Sequence, residues 1–247
     1  MIKSYLKTAL RHLFREKVFS LINITGLAIG FACTFLIFLW VTDELNFDDF
    51  HENKDRIYRV LVKTEGLDAV GIGEDLAVTP GKLAGAISVE IPEVTHVTRI
   101  MKNFKSPFKY RENTFYEDKY FLVDADFFKM FSFPVIKGNA AELLKNPNDI
   151  IISQRVAKKY FGDENPIGKI LKENNQSEYN VSAVIENMPA NSHLQMDIIQ
   201  SHENLEKYWK PGYSWFNSIH ETYLLVQKDS DIPAITKKIN ALPNKNN

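Results

Sequence analysis

The stretch Gly162-Asp163-Glu164-Asn165-Pro166-Ile167-Gly168-Lys169-Ile170 holds the chain's best imitation of a reactive motif. Glycines around a turn, followed by lysine, are how a P-loop wraps phosphate oxygens in backbone N–H groups. The spacing fails: five residues separate the glycines where four are needed, and Ile170 stands where Ser or Thr would hold magnesium. The segment also follows a helix signal where a strand is required. Gly71-Ile72-Gly73-Glu74-Asp75-Leu76 lacks the third glycine of a dinucleotide fingerprint, and neither G-x-S-x-G nor H-E-x-x-H occurs. His51, His96, His193, His202 and His220 are scattered, with no i, i+4 pair to place two imidazoles on one helix face. Asp43, Glu44, Asp48 and Asp49 could attract calcium but lack the ordered ligand spacing of a known loop, so they read as a solvated flank. No catalytic residue, cofactor or metal site is expected, and the chain does not read as an enzyme.

Composition narrows the classes further. Thirty Lys and Arg nearly balance 31 Asp and Glu over 247 residues, without the basic excess of a nucleic-acid surface. The single cysteine, Cys33, can form no intramolecular disulfide.

The charges are uneven locally. Lys3, Lys7, Arg11, Arg15 and Lys17 precede an uncharged run from Val18 to Thr42, and Asp43, Glu44, Asp48, Asp49 and Glu52 follow it. A helix needs about 20 apolar residues to cross the hydrocarbon, so this run spans with room for tilt. It is too long for a cleaved signal core of about 7 to 15 residues, and it ends in Leu39, Trp40 and acids rather than a small-residue cleavage site. We read residues 18–42 as an uncleaved transmembrane helix with Trp40 as an interfacial anchor. The basic flank places the amino terminus in the cytoplasm and residues 43–247 outside.

Two features suggest more than a tether. In residues 1–17, Ile2, Tyr5, Leu6, Ala9, Leu10, Leu13 and Phe14 follow helical spacing opposite the basic positions, as in a helix lying in the cytoplasmic headgroup layer. A flank that only fixed topology would not need that pattern. Gly26 and Gly30 form G-x-x-x-G near Ala28, Ala32 and Thr34. They either open a notch for a partner helix or reflect the ordinary abundance of glycine in membrane helices.

Beyond the membrane, strand signals occur at Ile57–Thr64 and from Val94, Phe115, Tyr179 and His220. Thr79-Pro80 predicts the start of a helix reaching Glu90, Ser153 caps a helix ended by Gly162, and Ser230 opens a last helix. Irregular alternation without repeated βαβ units predicts an α+β domain of two subdomains with a mixed, largely antiparallel sheet.

Four stretches then carry a family resemblance. Asp43 to Val60, D-E-L-N-F-D-D-F-H-E-N-K-D-R-I-Y-R-V, resembles the segment after the first membrane helix of bacterial ABC transporter permeases of the MacB/FtsX-like family. D-A-D-F-F-K-M-F-S-F-P-V-I-K-G from Asp124, I-S-Q-R-V-A-K-K-Y-F-G-D-E-N-P-I-G-K from Ile152, and V-I-E-N-M-P-A-N-S-H-L-Q-M-D from Val184 are similar to the same family, in the same order. Within them we single out Asp48, Phe50, His51, Arg56, Tyr58, Asp126, Phe127, Phe128, Phe131, Gly138, Phe161, Gly162, Asn165, Pro166, Gly168, Pro189, Ser192 and His193. Their types suit fold-specifying work. The phenylalanines supply an aromatic core, Asp126 or Asp124 can cap the short helix carrying them, and the Gly, Asn and Pro positions suit helix ends and turns.

The resemblance implies a permease subunit with a periplasmic core domain, working as a homodimer or paired permease with a cytoplasmic ABC ATPase. ATP hydrolysis by that partner would become movement of the periplasmic domains, for export or extraction of a substrate, with a possible periplasmic partner. Such permeases carry three further membrane helices, and no second apolar run follows Thr42, so the chain is expected to be a fragment. A sensor ectodomain or an anchored binding or assembly module would share the same single span and outer domain.

Overall fold

The computed structural model describes residues 5, 11, 14–63, 75–203 and 214–245. Most of the expected amphipathic helix (Ile2, Lys3, Leu6, Lys7, Ala9, Leu10, Leu13), the Gly71 motif and Thr64 lie outside the described residues. Two compact units emerge, Met1–Asp49 and Phe50–Asn247.

The first unit is dominated by α1, Lys17–Leu45, a 29-residue helix with no buried residue. Its 29 residues rise about 44 Å, and it is the one helix among the described residues long and apolar enough to cross a membrane. The Thr34 and Thr42 hydroxyls donate to the carbonyls of Gly30 and Phe38 one turn back, at 2.9 and 2.8 Å. Both polar side chains are thereby satisfied within the helix, as hydrocarbon requires. The helix continues through Asp43 and Glu44, and the Asn46 N–H closes it on Thr42 and Asp43.

The second unit is a mixed α+β domain. Its strands are β1 (Ile57–Arg59), β2 (Val62–Lys63), β3 (Asp75–Leu76), β4 (Thr79–Pro80), β5 (Val94–Lys102), β6 (Ser106–Tyr110), β7 (Asn113–Glu117), β8 (Tyr120–Val123), β9 (Val135–Gly138), β10 (Asp149–Ser153), β11 (Ile170–Glu173), β12 (Ser177–Ile185), β13 (Ile198–Ser201) and β14 (Ser218–Val226). The helices are α2 (Leu83–Glu90), α3 (Phe127–Met130), α4 (Gln154–Phe161) and α5 (Ile232–Lys245). One sheet runs β1-β14-β5-β8-β13-β10-β12-β11-β6-β7, with β4 on β14 and β9 on β12. Only β10 with β12 and β8 with β13 pair in parallel; the other described ladders are antiparallel.

Side-chain alternation turns this sheet into the wall of two cores. Ile151 and Ile199 face an aromatic cluster built on α3, whereas their neighbours Ile150, Ile152 and Ile198 face a second cluster under α4. The two clusters therefore share strands within one compact unit. A third cluster joins Leu83 and Ile87 of α2 with Ile235 and Leu242 of α5 against β5 and β14.

Several boundaries depart from the sequence reading. Thr79-Pro80 does not open a helix: Thr79 is fully buried, donates its hydroxyl to the His220 carbonyl at 2.8 Å and pairs with β14, so α2 starts at Leu83. The run from Phe115 folds as two strands consecutive in the chain, β7 and β8, which part at Asp118 and Lys119 so that β7 pairs with β6 and β8 with β5 and β13. The run Ile57–Thr64 breaks at Val60-Leu61; β1 joins β14 while β2 pairs with β3. The last helix is capped by Asp231, whose carboxylate accepts the Ala234 N–H at 3.1 Å, and the Ser230 hydroxyl instead donates to Gln227.

Candidate functional site

The residues immediately after the first unit are fixed into the aromatic core of the second. The Ser132 N–H donates to His51 Nδ1 at 3.1 Å, and the Glu52 N–H donates to the Ser132 hydroxyl at 3.1 Å. The Asn53 amide donates to the carbonyls of Lys129 and Met130, both at 3.3 Å, taking up orphan carbonyls at the end of α3. Arg56 turns back onto the Asn53 side-chain oxygen. The His51 ring is 4 % exposed and meets Phe50, Phe131 and Phe133 at centroid distances of 4.1, 5.1 and 5.1 Å. Phe127 lies beneath them, 5.0 Å from Phe131, and Phe128 packs against it at right angles.

A chain of polar contacts extends from this cluster across the sheet. Phe131 meets the Tyr223 ring edge-on at 5.4 Å, and Tyr223 Oη lies 2.9 Å from His193 Nε2. The same hydroxyl donates to Glu221 at 3.0 Å, and Glu221 sits 3.8 Å from Arg59 of β1. Burial first, and the Glu221 carboxylate second, push the Tyr223 hydroxyl well above its usual range, so it stays a donor.

The third and fourth motifs meet on Asp197. Its carboxylate accepts the Ser153 hydroxyl at 2.7 Å and Arg155 at 2.7 and 2.8 Å, while the Arg155 N–H donates to Asn187 Oδ1 at 2.8 Å. Ser153 is also the α4 cap, accepting the Val156 N–H at 3.2 Å. Gly162 ends α4 at φ 61°. The Asn165 side chain accepts the Ile167 N–H, the Pro166 carbonyl accepts the Lys169 N–H, and Gly168 at φ 78° donates to Val181. Phe161 is buried in the cluster under α4. The Pro189 carbonyl accepts the Ser192 N–H, and the buried Ser192 hydroxyl accepts the Leu194 N–H.

Neither capping role expected near α3 is found. Asp126 makes no cap bond; its carboxylate lies 2.7 Å from Lys129 Nζ and 3.1 Å from His96 Nδ1. Burial works to raise its pKa, but the bonds from Lys129 and His96 outweigh it and hold the carboxyl below its ordinary range. Asp124 is engaged by Arg99, which is 7 % exposed and grips both carboxylate oxygens at 2.7 to 2.9 Å. Among the remaining singled-out positions, Tyr58 is exposed on β1 and Asp48 has a left-handed φ of 57°. A Cβ added at Gly26 or Gly30 would meet nothing within 4 Å beyond the neighbouring backbone of its own helix. Arg99, Ser132, Asp197 and Tyr223 were not singled out by type, although Ser132 and Asp197 lie inside two of the motif stretches. Among the described residues no group of three His, Cys, Asp or Glu could hold a metal ion.

The sequence model of the MacB-like periplasmic core domain matches residues 20–242. The chain belongs to that family. Solved structures share this family's fold. A domain of a protein named as a permease from Porphyromonas gingivalis superposes with a TM-score of 0.67 at 24% identity, covering 80% of this chain and 87% of its own. The periplasmic region of MacB from Actinobacillus actinomycetemcomitans gives 0.57 at 12% identity, over 77% and 83% of the two chains. The extracellular domain of the noncanonic ABC-type transporter YknZ from Gram-positive bacteria gives 0.55 at 15% identity, over 76% and 94%. No curated protein matches the sequence significantly. The family is one of transporters rather than classical enzymes, and this chain carries its MacB-like extracytoplasmic domain together with an apolar helix long enough to cross a membrane.

Proposed function

We propose that this chain is the membrane subunit of a MacB/FtsX-type ABC transporter and converts ATP turnover by a separate cytoplasmic ATPase into movement of its periplasmic domain. Residues 1–17 lie on the cytoplasmic side within reach of the ATPase, residues 18–42 cross the bilayer, and residues 43–247 belong to the periplasmic core. Two permease chains pair, with the Gly26 and Gly30 notch accepting a neighbouring helix. The work is export or extraction of a substrate, with a periplasmic protein as a further partner.

One observation carries this reading. His51, Glu52 and Asn53 are tied by four hydrogen bonds to Lys129, Met130 and Ser132. A displacement that reaches this segment passes into the α3 core through directional contacts rather than being lost in a solvated linker. The singled-out residues serve that mechanical task and hold no reactant.

The test is purification of the protein from its native membrane into nanodiscs, followed by identification of bound proteins and measurement of ATP turnover. A nucleotide-binding ATPase should accompany it, and His51→Ala should uncouple the turnover from permease control while the ATPase stays bound. Isolation with no ATPase at all would sink the proposal.

A further inference from the structure

The sheet has an open edge at β7, and its backbone is oriented to take another strand. The Pro107 carbonyl of β6 accepts the Asn174 N–H, and Lys109 pairs with Lys172, so alternate residues of β6 bond toward β11. Phe108 therefore directs its N–H and C=O to Phe115, its partner on β7. It follows that Thr114 and Tyr116 turn their N–H and C=O groups outward. Both are exposed, Tyr116 at 65 %, and no strand pairs with that side of β7 among the described residues.

Protected edges usually carry a lysine, a proline or a bulge, and Asn113–Glu117 has none of these. Phe115, Phe108 and Leu171 face the core, so the alternate positions Thr114, Tyr116, Lys109 and Lys172 share the outer face. The Lys105 ammonium stands 5.9 Å from the centroid of the Tyr116 ring, beside Phe104, which is 88 % exposed. Glu178 neutralises Lys172 at 2.6 Å, whereas no carboxylate among the described residues pairs with Lys105 or Lys109. The edge thus combines free main-chain partners, exposed aromatic surface and two unneutralised cations.

We infer that β7 is a docking edge for an extended acidic segment of another extracytoplasmic protein, added as an antiparallel strand against Thr114 and Tyr116. Main-chain bonds supply the register, and carboxylates on the outer face of the incoming strand meet Lys105 and Lys109. A second copy of β7 suits the site less well, since the one acid within that strand, Glu117, is buried against Lys159. Only the extracytoplasmic location of the partner rests on the permease reading.

The experiment measures binding of fluorescent (Val-Glu)4 and (Val-Lys)4 peptides to the full chain in detergent, by anisotropy. No ATPase is present, so failure here is separate from failure of the coupling reading. The acidic peptide should bind at least tenfold more tightly than the basic one and weaken with added salt. Thr114→Pro removes an outward N–H from an edge strand, where proline is tolerated, and should lower affinity at least tenfold. Lys105→Glu with Lys109→Glu leaves the backbone untouched and should invert the preference, which keeps the idea testable if the proline variant misfolds. Equal binding of both peptides, no binding of either, or unchanged binding by a folded Thr114→Pro protein would overturn it. So would a reversible dimer abolished by Thr114→Pro in the absence of acidic-peptide binding, since the occupant would then be a second copy.

Discussion

The Ser132 N–H donates to His51 Nδ1 at 3.1 Å across 81 positions of sequence, so the ring is at once a core side chain and a backbone acceptor. In accepting this bond, Nδ1 presents its lone pair to the Ser132 N–H. His51→Ala removes both roles, opening a cavity among Phe50, Phe131 and Phe133 and leaving a part-buried N–H without its acceptor. We expect a loss of about 2–4 kcal/mol. His51→Phe restores the ring but not the acceptor and should cost about 1–2 kcal/mol. Urea denaturation followed by tryptophan fluorescence checks the order, and equal stability of the two variants would show that packing alone matters.

Asp197 separates a buried role from an exposed one. Its side chain is 10% exposed and holds the hydroxyl of Ser153, whereas Arg155, its ion partner, is 56% exposed. Asp197→Ala deprives a fully buried cap residue of its acceptor and should cost about 2–3 kcal/mol. Arg155→Ala removes a solvent-screened partner and should cost about 1 kcal/mol or less. A larger effect at Arg155 than at Asp197 in the same denaturation measurement would reverse the assignment of roles.

Asp126 links stability to acid. Its folded pKa lies below the ordinary 3.8 because Lys129 and His96 outweigh the opposing effect of burial. A depressed carboxylate contributes stability fully above its unfolded pKa and loses it as pH falls through the folded value. The wild type should therefore be more stable than Asp126→Asn at neutral pH, with the gap shrinking progressively below about pH 4. Melting temperatures of both proteins between pH 3 and 7 test this, and a gap that stays constant with pH would rule out the ion pairs as its source.

The long apolar helix and the turn chemistry of Gly162 to Lys169 were legible because each depends on local rules, an unbroken apolar run for one and positive φ for the other. The sheet order was not legible. β10 lies between β13 and β12, and β14, late in the chain, pairs with β1 and β5, contacts that no short-range periodicity encodes. The failed helix start at Thr79 has the same origin: a capping signal was overridden by burial against His220 and Thr222. The aromatic motifs were recognised as core, but their convergence on His51 required knowing that residues 51 and 132 meet.

Gly138 and Gly162 share a positive φ and differ in surroundings, which makes them a paired test of strain against collision. Gly138 lies on β9 opposite Ala183, at φ 98°, and a Cβ there would collide with the Ser182 carbonyl oxygen and stand 2.8 Å from Ala183 Cα. Both are backbone atoms of a central strand, so no side chain can swing aside. Gly162, at φ 61°, would place its Cβ in open space. At ψ −116° Gly162 lies outside the left-handed helical basin, so Gly162→Ala should cost backbone strain alone, about 1–3 kcal/mol. Gly138→Ala adds a clash that β9 can relieve only by separating from β12, so its cost should exceed that of Gly162→Ala by about 1–3 kcal/mol. Because β9 follows directly from Phe133 and Pro134, the displacement should also loosen the aromatic cluster around His51. Greater amide exchange at Phe131–Phe133 in Gly138→Ala than in Gly162→Ala would report that coupling; equal exchange and equal stability in the two variants would show that β12 accommodates the added methyl.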